Sequence, residues 1–346
     1  MALFNLNPYH IYHVKSSRPV IIWLAFVSLL IVAMVIVGGA TRLTDSGLSI
    51  TEWKPLLGAI PPLSTHDWLE AFEKYKQIPE YQLVNKGMTL EEFQLIYWWE
   101  WAHRFLGRII GIAYGVPFLF FLIKGYFSNE LKIILSVILF LGAIQGYMGW
   151  YMVQSGLVDQ VDVSHYRLAA HLTLAAIILA SCVFIATRLR IHQTHNISFT
   201  EGQIFSNSLI ILCMIQIISG ALVAGLDAGL VYNTWPLMDG VLFPFSNLAM
   251  DGIGIFFQDH FSIQFIHRML AYILAIAVFL YVYWRWEQGV FTRAVSLIFL
   301  ITLLQISLGI LTLIHVVPLN LALLHQLGAF LLLVSLVTHR ASFYTI

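Results

Sequence analysis

Charge is scarce in this 346-residue chain: only 10% of it is Asp, Glu, Lys or Arg, and 18 acidic side chains balance 18 basic ones. A neutral chain has no electrostatic footing on a nucleic acid, and no nucleic-acid partner is expected. Cysteine is nearly absent, with two copies, Cys182 and Cys213, both inside apolar runs. No loop outside the membrane can then be stapled by a disulfide. What fills the chain is hydrocarbon, 59% hydrophobic residues at a mean hydropathy of +0.82. That is the composition of a polytopic protein whose solvent is the lipid bilayer.

Eight runs are long enough to span it: 20–40, 105–123, 131–153, 168–187, 204–225, 263–284, 294–315 and 319–338. Lys15 and Arg18, Lys124 and Lys132, Arg188 and Arg190, Arg285 and Arg293, and Arg340 gather on one side of these runs. All acidic residues except Glu130, Glu201 and Glu287 fall on the other. Basic loops stay in the cytoplasm, so both termini are expected there, with the segments 44–99 and 227–262 outside. Lys54, Lys74, Lys76 and Lys86 lie in the long outer segment, but long loops translocate regardless of charge. The first run has full span length and no cleavage site, so it reads as an anchor rather than a signal peptide. With one Lys and one Arg, the first 20 residues do not resemble an Arg-rich presequence. The expected location is a bacterial plasma (inner) membrane.

The second half rewrites the first. Gly39-Ala40 ends the first span and is followed by Asp45-x-Gly47-Leu48 and Trp53-Lys54-Pro55-Leu56; Gly220-Ala221 ends the fifth and is followed by Asp227-x-Gly229-Leu230 and Trp235-Pro236-Leu237. Gln145-x3-Gly149 in the third span returns as Gln305-x3-Gly309 in the seventh. The fold class is therefore an all-α membrane protein of eight transmembrane helices arranged as two pseudo-symmetric four-helix bundles. Its expected parts are a cytoplasmic N-terminus (1–19), a first half (20–190) with a long outer loop (44–99), a cytoplasmic linker (191–202) and a second half (203–346).

Each half carries two histidines inside apolar helices: His103 and His171, then His267 and His325. An imidazole in hydrocarbon is costly, and one alone reads as a packing residue with a hydrogen-bonded neighbour. Repeated in pairs on neighbouring helices, it reads as bis-histidine haem ligation. All four lie on helices running inward and near their outer ends, roughly 5–10 Å below the outer surface at a rise of about 1.5 Å per residue. Gly38, Gly39, Gly142, Gly146, Gly149, Gly220, Gly225, Gly309 and Gly328 line the candidate bundles, where close helix packing is the first reading. Trp53, Trp68, Trp98, Trp99, Trp101 and Trp235 read as an interfacial belt. Arg104, Arg108, Arg167 and Arg268 cluster near the histidines, as cations for haem propionates or as snorkelling boundary residues. His66, His165, His260 and His315 read as surface histidines.

One position breaks the match. Three residues before the first histidine of each half stand Glu100 and Gln264, one turn from the ring, so that both are expected to face the cofactor. A carboxylate can exchange protons and an amide cannot. The plainer alternative is a helix-terminal Glu100 paired with Arg104 at i+4.

Eight helices in two repeats, Glu100-x-x-His103-Arg104, histidines in the fourth, sixth and eighth spans, and the run G-G-A-T-R-L-T-D-S-G-L-S from Gly38 to Ser49 together resemble the haem A synthase family over nearly the whole chain. The resemblance implies that His103 and His171 flank the substrate haem and that His267 and His325 ligate a haem b. It implies oxidation of the C8 methyl of haem O to a formyl group, giving haem A, with Glu100 handling protons. Gln264, Arg104, Arg167 and Arg268 would support the haems near the outer (periplasmic) face. Haem O synthase as substrate donor, a ferredoxin-like or quinol electron donor and oxidase assembly factors are the implied partners; a homo-oligomer stays open. Because 44–99 holds no cysteine, the chain is more similar to the cysteine-free proteobacterial and mitochondrial branch, and a thiol relay there is excluded. Two other classes compete. A di-haem quinol-linked cytochrome would not need all four ligands at one depth, and a transporter of parallel repeats would place its polar residues near the midplane.

Overall fold

The computed structural model describes residues 16–54, 57–158, 160–191, 201–241 and 257–343. Lys15, Pro55, Leu56 and most of the 191–202 linker lie outside them. The α-helices among the described residues are α1 (Ser17–Leu43), α2 (Thr65–Tyr75), α3 (Pro79–Leu83), α4 (Leu90–Ile123), α5 (Asn129–Val158), α6 (His165–Ile191), α7 (Glu201–Gly225), α8 (His260–Glu287), α9 (Arg293–Ile314) and α10 (Leu319–Ala341). All but α2 and α3 are long and apolar enough to cross a membrane, which gives the eight expected spans.

The largest departure from the hydropathy reading is at α4. It begins at Leu90, because Thr89 and Glu92 form a capping box: the Glu92 carboxylate accepts from the Thr89 amide at 2.8 Å, and the Thr89 hydroxyl accepts from the Glu92 amide at 3.3 Å. A helix of 34 residues is about 51 Å long, so roughly 20 Å projects beyond a hydrocarbon core of about 30 Å. Against that projection pack α2 and the turn after α1. Leu48, Phe72, Tyr75, Ile78, Phe93, Tyr97 and Val163 form a separate apolar core there. The described residues of segment 44–99 thus form a folded cap. Trp68, expected in the interfacial belt, belongs to it and meets the Tyr97 ring edge-on at 4.9 Å.

Within the first half α1 packs on α4 and α6, and α5 on the same two; within the second α7 packs on α8 and α10, and α9 on the same two. The halves meet through α1–α10, α6–α7 and α6–α10. Exchanging the halves converts the first of these contacts into the second, which is consistent with two pseudo-symmetric bundles. Asp45 and Asp227 take the same step in the two repeats, both in the left-handed region at φ 46° and 51°. Arg42 bridges them, 3.0 Å from Asp45 and 2.7 Å from Asp227.

The continuous core runs through Val20–Val35 of α1, Tyr114–Phe121 of α4, Ala176–Leu189 of α6, Leu274–Tyr281 of α8 and Phe330–Val337 of α10, and takes in both free cysteines. In each of the four histidine helices it lies on the C-terminal side of the ring.

Candidate functional site

Each histidine sits on the second helix of a hairpin and faces a glycine on the first. A Cβ on Gly38 would lie 3.3 Å from His103 Nε2, on Gly149 3.1 Å from His171 Cε1, on Gly220 3.0 Å from His267 Cε1, and on Gly309 2.8 Å from His325 Cε1. At these four places the helices approach through the ring, so glycine there makes room for imidazole rather than for another helix. Gly142 and Gly146 face open space, while Gly39, Gly225 and Gly328 admit Gln326, His165 and Gln305. One turn before three of the ring-facing glycines stands a glutamine. The side-chain amides of Gln145, Gln216 and Gln305 donate to the main-chain carbonyls of His171, His267 and His325 at 3.1, 3.1 and 2.8 Å. Met34 takes that place in the first hairpin. The repeating unit is therefore a hairpin used four times, and Gly38 rather than Gly39 aligns with Gly220. Gln216 was missed in the sequence, although Gln216-x3-Gly220 has the spacing of the other two.

The expected pairs come together. The His267 and His325 rings stand 6.5 Å apart, centre to centre, at 83°. An iron held by two imidazole nitrogens at about 2.0–2.1 Å each puts ring centres about 6.3 Å apart, so this pair fits one iron with little movement. His103 and His171 are near enough to interact electrostatically. All four rings are partly buried. Beside the second pair, Arg268 is 9% exposed and its Nε and Nη1 have no partner, and His325 Nδ1 is likewise buried without one. A buried guanidinium with two unmet donors suits a carboxylate.

The two halves treat the Glu100/Gln264 position alike toward the arginine one turn on and with opposite hydrogen-bond polarity toward the turn. Glu100, 2% exposed, accepts at Oε2 from the Ser49 hydroxyl and the Ile50 amide, both at 2.7 Å, and at Oε1 from Arg104 Nε and Nη2 at 3.0 and 2.6 Å. Gln264, also 2% exposed, instead donates to the carbonyls of Ala228 and Tyr232 at 2.8 and 3.1 Å and accepts from Arg268 at 2.8 Å. Both residues pin the turn that follows the preceding span. The i+4 pair with Arg104, named above as the plainer alternative, is present. Arg104 also donates to the carbonyls of Ile50 and Glu52 at 2.7 and 3.1 Å, so it is neutralised and largely used up where Arg268 is neither. Arg167 is fixed at the C-terminal end of α5, donating to the Tyr151 carbonyl at 2.7 Å with its guanidinium 3.8 Å above the Tyr151 ring. Arg108 reaches the Lys54 carbonyl at 3.1 Å. His165 and His260 are the first residues of α6 and α8, next to the preceding loops.

Glu80 and Tyr75, inside the cap, were not foreseen. The Tyr75 hydroxyl donates to Glu80 Oε2 at 3.2 Å and accepts from Asn85 at 2.8 Å, and burial holds the Glu80 carboxyl up at about 8.

The chain is 48% identical over 331 residues to the heme A synthase of Azorhizobium caulinodans, covering 94% of this chain and 95% of that one. To the heme A synthase of Maricaulis maris it is 47% identical over 333 residues, 95% and 97% of the two chains. To that of Nitrosospira multiformis it is 48% identical over 326 residues, 91% of each. The family model described as cytochrome oxidase assembly protein matches residues 21–337. With nearly every span and all four histidines inside that match, the chain belongs to the cytochrome oxidase assembly protein family.

Proposed function

We propose that this chain is a haem A synthase, an oxidoreductase of the membrane that converts the C8 methyl of haem O to a formyl group and supplies haem A for oxidase assembly. The observation that carries the reading is the pair of matched bis-histidine cradles made unlike by Glu100 and Gln264, in a chain nearly half identical to relatives of that name. An electron-transfer cytochrome would give no reason for the two cradles to differ there.

His103 and His171 take the substrate haem, and His267 and His325 a resident haem b. The 6.5 Å ring separation and the unmet donors of Arg268 support the second assignment. When bound, haem b supplies one-electron transfer, tuned by its imidazole ligands. The other tasks fall to the protein. The imidazoles orient each ring system, Arg268 takes a propionate, and the cap restricts water at the outer end. Turning a methyl into a formyl group breaks C–H bonds and moves protons, and Glu100, three residues before His103 and held by Arg104 and the Ser49–Ile50 turn, is a carboxylate able to take up or give one. Arg104 and Arg167 brace the first cradle, and Gln264 braces Arg268. Haem O synthase hands over the substrate, and a ferredoxin-like or quinol donor serves electron supply. The setting is a bacterial inner membrane with both termini in the cytoplasm and the haems near the outer face, as the distribution of basic residues supports.

Co-expression with a haem O synthase in a host that makes no haem A tests the reading. Haem A should appear in the membranes. Haem O accumulating with no haem A overturns it.

A further inference from the structure

A serine separates the two cradles as sharply as Glu100 and Gln264 do. Ser219 precedes the ring-facing Gly220 of α7 and is 4% exposed. Its hydroxyl donates to the Gln216 carbonyl at 2.9 Å, which leaves a lone pair directed at His267 Nδ1, 2.8 Å away. With the hydroxyl proton on that carbonyl, the contact is completed by the tautomer in which Nδ1 carries hydrogen and Nε2 keeps the lone pair a metal needs. In the aligned hairpins Val37 precedes Gly38, Met148 precedes Gly149 and Leu308 precedes Gly309. None of these three side chains can accept a hydrogen bond from a ring nitrogen as a hydroxyl does. Gln216 does not distinguish the cradles, because Gln145 and Gln305 repeat it.

The four rings do not all face their glycines in the same way. His171, His267 and His325 each turn Cε1 to the glycine, with Nδ1 and Nε2 behind it. His103 turns Nε2 to Gly38 instead, so its ring is rotated about its own bond relative to the other three. The orientation does not follow the serine, since His171 beside Met148 and His325 beside Leu308 share it; what is particular to His267 is the Ser219 hydroxyl at its Nδ1.

We propose that Ser219 is the positioning residue that makes the second cradle a permanent haem site, and that Val37 at the matching place leaves His103 free to release its haem. The proposal rests on the functional reading above, in which one haem stays and the other must arrive and leave. An imidazole whose Nδ1–H is held is a stronger donor at Nε2 and has less rotational freedom to lose on ligation. Loss of such a partner typically lowers metal affinity about 10–100-fold.

The test uses the purified full chain with its native pigments, compared with Ser219→Val, Ser219→Thr and Val37→Ser. Haem B transfer to apomyoglobin and the reduction potential of the bound haem b are measured, neither of which depends on turnover. Ser219→Val should release haem B about 10–100-fold faster and raise its potential, since a weaker donor stabilises the oxidised iron less. Ser219→Thr, which keeps the hydroxyl, should restore both, and Val37→Ser should slow loss of haem O or haem A from the first cradle. Ser219→Val with wild-type haem B release and potential overturns the proposal, as does Ser219→Thr behaving like Ser219→Val, which would reduce the serine to packing. A wild-type protein holding no haem B at all would instead overturn the functional reading, and the proposal with it.

Discussion

Glu100 and Arg104 form an ion pair one turn apart on α4, 2.6 Å between Oε1 and Nη2, with side chains only 3% and 16% exposed. The pair closes on the Ser49–Ile50 turn, so the carboxylate brackets the cap as well as being the group proposed above to handle protons. Glu100→Gln is therefore not a silent exchange, although Gln stands at the matching position. The Ile50 amide and the Arg104 guanidinium can only donate, so the new NH2 must face a donor on one side or the other. A cost of about 1–3 kcal/mol is expected for the unmet group. Extracted pigments should show haem b retained and haem O, or a partly oxidised form, in place of haem A. Haem A made at the wild-type rate would reduce Glu100 to a structural bracket.

Removing ligands should separate the halves. His267→Ala or His325→Ala should abolish the low-spin haem b spectrum while the protein still inserts. His103→Ala or His171→Ala should stop haem A formation and leave that spectrum in place. A full complement of six-coordinate haem b in both second-half variants contradicts the assignment.

The glycines offer a sharper steric test. In Gly309→Ala the new Cβ would meet His325 Cε1 at 2.8 Å, and the ring cannot retreat easily because Gln305 holds the His325 carbonyl. Overpacking of that kind costs about 1–3 kcal/mol, so haem b occupancy should fall steeply. Gly142→Ala and Gly146→Ala add a methyl where nothing lies within 4 Å and should leave the spectrum unchanged. Equal behaviour of the three variants would rule out ring seating as the role of Gly309.

The histidine pairs were legible because a polar ring stands out against hydrocarbon and because the second half repeats the first. The start of α4 was not legible from hydropathy, since its projecting turns face the cap and water rather than lipid; only Thr89 and Glu92 mark it. Glu100 was visible as an oddity, but not its partners, because Ser49 and Ile50 reach it only through the turn of the backbone after α1. Ser219 was invisible for a different reason. A serine in an apolar helix ordinarily bonds back to its own helix, as Ser28 does to Leu24, and only the neighbouring ring gives it a second role.

The cap should respond to pH through Glu80. Buried at 4% exposure, with Asp162, Asp45 and Glu100 the charged groups acting on it and the Tyr75 hydroxyl as its hydrogen-bond donor, its carboxyl is raised from 4.5 to about 8. Between those values the folded protein holds a proton that the unfolded chain has lost. Stability from this group is fully present below about 4.5 and is lost as pH rises through about 8. Glu80→Gln mimics the protonated form and still accepts from Tyr75. Thermal unfolding in detergent should show the variant gaining on the wild type steadily from pH 5 to pH 8, the span set by those two values. Parallel curves would mean that Glu80 is ionised in the folded cap.

The division of labour between the two cradles is tested most directly by the pigments of the purified protein. Acid–acetone extraction and chromatography should recover haem B together with haem O or haem A, one from each cradle. Haem B alone, in a preparation made with haem O available, would contradict the account and leave a two-haem electron carrier.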